Sequence, residues 1–219
     1  MIRSIIKPLF DAMPGSLQDE IHYQLNIFRN KKIVEEWNES GKPVPPPHAI
    51  KQRLINDYRL KTGYSVLIET GTLTGGMIDA QRKHFKKIYS IELSEELWSN
   101  AVIKFKRYKH IELIQGDSGK KMFELTDQLS ESAIFWLDGH YSAGNTAMGD
   151  VLCPVNNELK AILRNNHLSH VVLIDDARNF NGSETYPSIE EIKSFVQSTG
   201  RKFSMLVDED VIQIIVQKD

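Results

Sequence analysis

The sequence predicts an α/β fold: a doubly wound, mainly parallel sheet, closed by an antiparallel β-hairpin and preceded by a helical cap. Three observations predict it. From Val66 onward, short runs of strand-forming residues alternate with helix-compatible segments, the pattern of βα units on a parallel sheet. Near the C-terminus two strand-like runs are joined by the polar turn Asp208-Glu209-Asp210. That turn is too short for a helical crossover, so one of the two runs must be antiparallel. Before about residue 45 the alternation is missing, and apolar residues recur at helical spacing instead.

The first segment reads as two short amphipathic helices, one carrying Ile2, Ile5, Ile6 and Leu9, the other Leu17, Ile21, Leu25 and Phe28. GKPVPPP, from Gly41 to Pro47, ends them, because consecutive prolines favour an extended linker over a helix interior. The expected division is a helical cap and linker over 1–47 and a main domain over 48–219. His48–Leu60 reads as a helix with Ile50, Leu54, Ile55 and Tyr58 on one face, ending at Gly63. Candidate strands follow at Val66–Glu69, Ile88–Glu92, Ile111–Gln115, Ala133–Asp138 and His170–Asp175. Helix-like segments separate them at Met77–Phe85, Ser94–Tyr108, Gly119–Leu129 and Val151–Asn165. Lys202–Val207 and Val211–Gln217 form the hairpin that completes a seven-stranded sheet. Ligands in such sheets bind beyond the carboxyl ends of the strands. The residues there are acidic: Glu69, Glu92, Asp117, Asp138, Asp175 and Asp176.

At 219 residues, with 41% hydrophobic and 26% charged residues, the chain is large enough for one sizeable globular domain with an appendage. A net charge of −2 gives no electrostatic reason for a nucleic-acid partner. The local basic run Lys104, Lys106, Arg107 and Lys109 reads as the solvated end of a helix. The single cysteine, Cys153, has no intrachain disulfide partner and lies in an apolar stretch, as a core residue rather than a nucleophile. No apolar run approaches the roughly 20 residues of a bilayer span. Pro8 and the polar residues after it make a signal peptide a poor fit. The expectation is a soluble, cytoplasmic protein.

Val66 to Gly76 reads VLIETGTLTGG: a buried-strand run ending in an acid, a turn opening on glycine, and a helix start. Such a unit cradles a nucleoside cofactor. Gly71 and Gly75 let the backbone turn sharply and a ligand come close. A dinucleotide fingerprint needs glycine at positions 71, 73 and 76, and Leu73 occupies the middle place. The pattern present, Glu69-x-Gly71-x-x-x-Gly75, resembles the first motif of the class I S-adenosylmethionine-dependent methyltransferases, whose Rossmann-like seven-stranded sheet also ends in a hairpin. The resemblance implies that Glu69 and the glycine turn face the methionine half of the cofactor. Glu92, in IYSIELS, ends the second strand about twenty residues on, where a carboxylate accepts both ribose hydroxyls. The same residue, with Ser94, suits the start of the following helix. In IQGDSG, Asp117 closes the third strand. The resemblance puts an acid there opposite the adenine amino group with Ser118 assisting, and an N-cap role suits the same residue.

A second group of acids is Asp138 in WLDGHYS and the pair Asp175-Asp176 in VVLIDDAR. Three carboxylates in one crevice repel, and a hard cation such as Mg²⁺ is the simplest neutraliser; strand-end acids facing water are the alternative. An acid after the fourth strand and an acidic pair after the fifth resemble the metal site of the catechol-type and macrocin-type sugar O-methyltransferases. The resemblance implies that Asp138, Asp175 and Asp176 hold a divalent ion whose coordination two substrate oxygens complete. The ion would acidify the attacking hydroxyl ahead of an in-line displacement at the sulfonium carbon. His140 is the candidate base by its titration range. Tyr141, Arg178 and Asn179 flank the same crevice as candidate substrate contacts, while Glu158 suits a surface or capping role. The small, polar loop Gly139–Asp150 reads as a substrate-facing lid and Arg178–Pro187 as the opposite wall.

The resemblance, with the polar, acid-lined cleft, implies a metal-dependent O-methyltransferase acting on a hydroxyl of a small molecule or carbohydrate: a sugar, a glycan or a glycosylated natural product. A small aromatic diol is the nearest competing acceptor. The other readings are an NAD-dependent oxidoreductase, which Leu73 and the terminal hairpin oppose, and a non-catalytic cofactor-binding scaffold acting through its N-terminal helices. Those helices are also the expected route to a homo-oligomer.

Overall fold

A computed structural model describes residues 10–139 and 153–218 of the protein. Its strands are β1 (Val66–Thr70), β2 (Lys87–Glu92), β3 (Ile111–Gln115), β4 (Ala133–Leu137), β5 (His170–Ile174), β6 (Phe203–Asp208) and β7 (Val211–Val216). Its helices are α1 (Gly15–Glu39), α2 (His48–Thr62), α3 (Gly76–Gln81), α4 (Glu95–Phe105), α5 (Ser118–Asp127), α6 (Val155–Leu163) and α7 (Ile189–Ser198). The strands form one seven-stranded sheet in the order β3-β2-β1-β4-β5-β7-β6. Pairing is parallel from β3 through to β5, and β7 runs antiparallel to both β5 and β6.

The burial pattern follows from this order. Strands covered on both faces read as continuous apolar runs. Every residue of β1, β4 and β5 is buried, whereas the edge strands β3 and β6 are only partly covered. Successive side chains divide between two cores, because strand neighbours point to opposite faces. Ile68, Phe135, Leu137, Val172 and Ile174 pack with Met122 of α5, Leu159 of α6 and Ile192 of α7. Leu67, Ile134, Trp136, Val171 and Leu173 pack with Tyr58 of α2, Ile78 of α3 and Phe105 of α4. The sheet is thus covered by helices on both faces, as the alternation predicts. The chain reverses direction of winding between β1 and β4, and that switch point opens a crevice at their carboxyl ends.

The chain divides into two compact units, Met1–Lys51 and Gln52–Asp219. In the first, the helix expected to carry Leu17, Ile21, Leu25 and Phe28 is present and is longer than expected, at 25 residues. The run from Leu17 to Glu39 contains neither glycine nor proline, so nothing in it breaks the helix. Ile2, Ile5, Ile6 and Leu9 lie outside the described residues. The helix stops where expected: Gly41 adopts a left-handed φ of 85°, and the Trp37 indole N–H donates to the Pro43 carbonyl at 2.8 Å. The Val44–Pro45 bond is cis. In the second unit the sequence reading omitted α7, although its start is marked by a capping box between Ser188 and Glu191. No helix among the described residues is long and apolar enough to cross a membrane.

The two-sided core gives a direct stability contrast. Ile134 is fully buried in the central strand β4, and Leu206 is 49% exposed on the edge strand β6. Ile134→Ala should lower the unfolding free energy by about 2–5 kcal/mol in urea titration, and Leu206→Ala by no more than about 0.5 kcal/mol.

Candidate functional site

The turn after β1 is set by close backbone packing. Gly71 adopts φ +84°, and an ideal Cβ there would lie 2.5 Å from the Asp138 carbonyl oxygen. Any side chain would therefore push apart the tips of β1 and β4. Gly139 is nearly as tight, since a Cβ would approach Thr70 Oγ1 to 3.1 Å and Ser118 Oγ to 3.3 Å. The Asp138 amide donates to the Thr70 carbonyl at 3.2 Å, so the two strand tips and the start of α5 close into one bare-backbone cradle. Gly75, the left-handed N-cap of α3, has a different reason: its Cβ would lie 2.5 Å from Phe105 Cε2. Its lack of a side chain serves helix packing. Leu73 also takes a left-handed φ of 50°, so the place a dinucleotide fingerprint gives to glycine keeps glycine's backbone while carrying a half-exposed leucine.

The two acids next to this turn have unlike environments. Glu92 is buried, and its carboxylate ties the turn to β2: Leu73 N–H donates to Oε2 and Ser94 N–H to Oε1, both at 2.9 Å. Ser94 in turn caps α4 through the Leu97 amide. The helix-start role is therefore present in the geometry, and each carboxylate oxygen keeps a lone pair for a further donor. Asp117 precedes α5 but makes no side-chain capping bond, and Ser118 behind it is buried.

Glu69 is buried at 2% exposure and accepts from Ser90 Oγ at 2.6 Å; Ser90 Oγ also lies 2.6 Å from Thr72 Oγ1. Burial pushes its carboxyl up to about 8, with Asp138 and Glu92 adding to the rise and the Ser90 hydroxyl opposing it. A carboxyl so poised responds to any cation brought beside it.

The second acid group differs from the expected one. Asp175 is buried at the tip of β5, and its Oδ1 accepts from the Asp176 amide at 2.7 Å. Asp176 has a left-handed φ of 56°, and its Oδ1 accepts from Arg178 Nη1 at 3.0 Å. The same Nη1 also bonds Asp210 Oδ2, while the Arg178 amide donates to Asp210 Oδ1 at 3.0 Å. Burial works against the Arg178 charge, but Asp176 and Asp210 together hold the guanidinium above its ordinary value. Among the described residues no three histidine, cysteine, aspartate or glutamate side chains form a group that could hold a metal ion. The expected set of Asp138, Asp175 and Asp176 does not stand as a ready ligand triad, and Arg178, expected as a substrate contact, is paired with Asp176 and Asp210.

Other expectations fare unevenly. His140 and Tyr141, with Gly139–Asp150 beyond its first residue, lie outside the described residues. Glu158, expected in a surface or capping role, is 1% exposed and lies in the first turn of α6, so the surface alternative does not hold. Cys153 is buried and its thiol pushed up to about 11, chiefly by burial, so it is a core residue as expected. Sequence reasoning missed two residues. Asp210 closes the hairpin turn and reaches back to Arg178. Tyr186, in the Arg178–Pro187 wall, stacks edge-on against Phe180 at 5.4 Å; its phenol is raised by burial and by the charges of Cys153, Asp176 and Asp138. An aromatic in that polar wall was the available signal.

The Glu69 environment predicts a pH dependence. Its carboxyl titrates near about 4.3 in the unfolded chain and near about 8 in the folded one. Between those values the folded protein holds a proton that the unfolded chain has lost, so this group's contribution falls as pH rises through the window and levels off above it. Melting temperatures taken across the window should show Glu69→Gln gaining on the parent as pH increases, with a constant difference above pH 8.

Comparison with known proteins places this geometry. No protein-family model and no curated protein matches the sequence. Solved structures do match. An O-methyltransferase from Bacillus cereus, in complex with S-adenosylhomocysteine, aligns over 86% of this chain and 90% of its own with a TM-score of 0.54 at 14% identity. A Podospora anserina methyltransferase, also bound to S-adenosylhomocysteine, covers 95% of this chain and 99% of its own with a TM-score of 0.53 at 17% identity. The N-methyltransferase NodS from Bradyrhizobium japonicum covers 78% and 97%, with a TM-score of 0.52 at 12% identity. At such identities the likeness is one of architecture, and it spans enzymes whose names give different acceptor atoms. The strand order, the reversed β7 and the bare glycine cradle between β1 and β4 give this chain the fold of the class I S-adenosylmethionine-dependent methyltransferases.

Proposed function

We propose that this protein transfers a methyl group from S-adenosylmethionine to a hydroxyl oxygen of a small molecule or carbohydrate: a sugar, a glycan or a glycosylated natural product. The observation that supports the reading is the Gly71 turn at the switch point of the sheet, where bare backbone lies so close to the Asp138 carbonyl that no Cβ fits. The cofactor supplies an electrophilic methyl on a cationic sulfur. Glu69 and the Gly71–Gly75 turn would hold its methionine half, Glu92 the ribose, and Asp117 with Ser118 the adenine. Glu69 suits this task because a buried carboxyl beside a cation ionises more readily. The chain's own task is to align acceptor oxygen and methyl carbon and to keep water from the path. His140, two residues beyond Asp138, is the candidate base for the acceptor proton.

A polar acceptor is supported by the crevice residues Asp138, Asp176, Arg178 and Tyr186. The recess nearby, lined by Leu137, Cys153, Val155, Glu158, Ile174 and Phe180, has a volume of about 10 Å³. That is roughly the room of one water molecule, so this recess does not itself seat an aromatic diol. The divalent ion implied by the resemblance does not fit these carboxylates as they stand, since Asp176 is held by Arg178. No step is assigned to such an ion. The lack of a nucleic-acid partner belongs to the same proposal, supported by the net charge of −2, as does the cytoplasmic setting, supported by a single cysteine with no intrachain disulfide partner.

Calorimetry should show S-adenosylhomocysteine binding and NAD failing to bind. Near pH 7, S-adenosylmethionine binding should release a proton in the parent protein and not in Glu69→Gln, read from the dependence of the heat on buffer ionisation. Tight NAD binding would return the oxidoreductase reading. Methyl transfer to catechols, with none to sugar or polyol hydroxyls, would overturn the acceptor class.

We further propose that the first unit pairs with a second copy through α1. Among the described residues its apolar positions stand exposed, Leu17 at 46%, Leu25 at 60% and Phe28 at 74%, and the three recur at helical spacing. Light scattering should give a dimer for the parent protein and a monomer for the Leu25→Glu, Phe28→Glu double variant.

A further inference from the structure

The tips of β5 and β7 carry three aspartates within two short turns: Asp175, Asp176 and Asp210. Like charges so placed require a counter-charge. In the described structure that counter-charge is covalently part of the chain. Arg178 Nη1 contacts a carboxylate oxygen of Asp176 and one of Asp210, bridging the two as a shared cation does. The geometry around the bridge is fixed from the backbone. The Ala177 amide donates to the Asp210 carbonyl at 2.8 Å and the Arg178 amide to Asp210 Oδ1 at 3.0 Å. Both oxygens of Asp210 are thus engaged by residue 178, and its side chain is only 3% exposed.

Two backbone features aim these groups. Asp176 sits in the left-handed region just before a single 3₁₀ turn, Ala177–Asn179, and there its carboxylate meets the arginine two residues on. The hairpin between β6 and β7 has two central residues, Glu209 and Asp210, with φ of 51° and 61°. Two positive φ values make a type I′ turn, normally given to asparagine or glycine. Here two acids hold it, each pinned by an arginine. Glu209 accepts from Arg53 Nη2 at 2.5 and 2.7 Å, and Asp210 from Arg178.

We propose that Arg178 takes the place of a divalent cation at these strand tips, neutralising Asp176 and Asp210 from within the chain so that the acid cluster recruits no metal. A guanidinium suits the post because it stays charged at any working pH and its fork reaches two carboxylates at once. The consequence for catalysis rests on the methyl-transfer reading: the acceptor hydroxyl is positioned and deprotonated by side chains alone, and turnover is indifferent to chelators.

The test reads metal binding directly and needs neither cofactor nor acceptor. With Mn²⁺ as probe, electron paramagnetic resonance of the full-length protein should show no bound ion up to about 1 mM, the weak end of protein sites for hard cations. Arg178→Gln removes the internal cation, so Mn²⁺ or Mg²⁺ should raise the melting temperature of that variant by about 2–4 °C and leave the parent unchanged. Adding Asp210→Asn to Arg178→Gln should abolish the response, because the uncompensated charge is then gone. A parent protein that binds Mn²⁺ in the micromolar range overturns the proposal even if no variant folds. An Arg178→Gln protein that folds but responds to divalent ions no more than the parent does overturns it as well. Failure of S-adenosylhomocysteine to bind would remove the methyltransferase reading and leave this result standing.

Discussion

Between the tips of β1 and β4 the backbone leaves no room for a side chain: a Cβ on residue 71 would lie 2.5 Å from the Asp138 carbonyl oxygen. That contact exists because the winding reverses between these two strands, which puts neighbours in the sheet far apart in sequence and leaves a crevice over their ends. The surrounding polar arrangement follows from it. Glu92 reaches across to the Leu73 amide, Ser90 bridges Glu69 and Thr72, and Asp138 hangs its amide on Thr70. These bonds hold a loop that carries little apolar anchorage of its own. Its rigidity comes from β2 and β4, and its openness comes from glycine.

Charge is handled differently at the two ends of the crevice. On the β1–β2 side, acids are satisfied by neutral donors, namely backbone amides and a serine hydroxyl, and Glu69 keeps its proton toward the alkaline side of neutrality. A cationic ligand is welcome there. On the β5–β7 side the acids meet an arginine, and the local charge is already compensated. The two ends of the crevice thus differ in charge, one open to a cation and the other nearly balanced. The proposed division into a cofactor half and an acceptor half would use that difference.

Much of this was legible in the residues. Continuous apolar runs such as IFWL and VVLI announce strands buried on both faces, and the short Asp208-Glu209-Asp210 turn announces the antiparallel β7. Local spacing cannot report what a side chain meets across the fold. The pair Asp175-Asp176 reads as two ligands side by side, yet neighbouring residues point apart in extended chain, and Asp176 turns left-handed to meet an arginine. That arginine's second partner lies 32 residues away in the hairpin, beyond any local pattern. Glu158 suited a surface or capping role because glutamate is usually exposed, and its burial in the first turn of α6 is decided by packing around that helix. The length of α1 was underestimated because its apolar spacing ends at Phe28, while the lack of any breaker keeps the helix going to Glu39.

Leu73 carries a consequence for how cofactor choice is encoded. Its main chain already bends as a glycine would, at the place where a dinucleotide fingerprint has bare backbone to let the pyrophosphate approach. Here that place carries an isobutyl group standing half in solvent. On the proposed reading, selectivity against nicotinamide dinucleotides would be a matter of steric veto at one position.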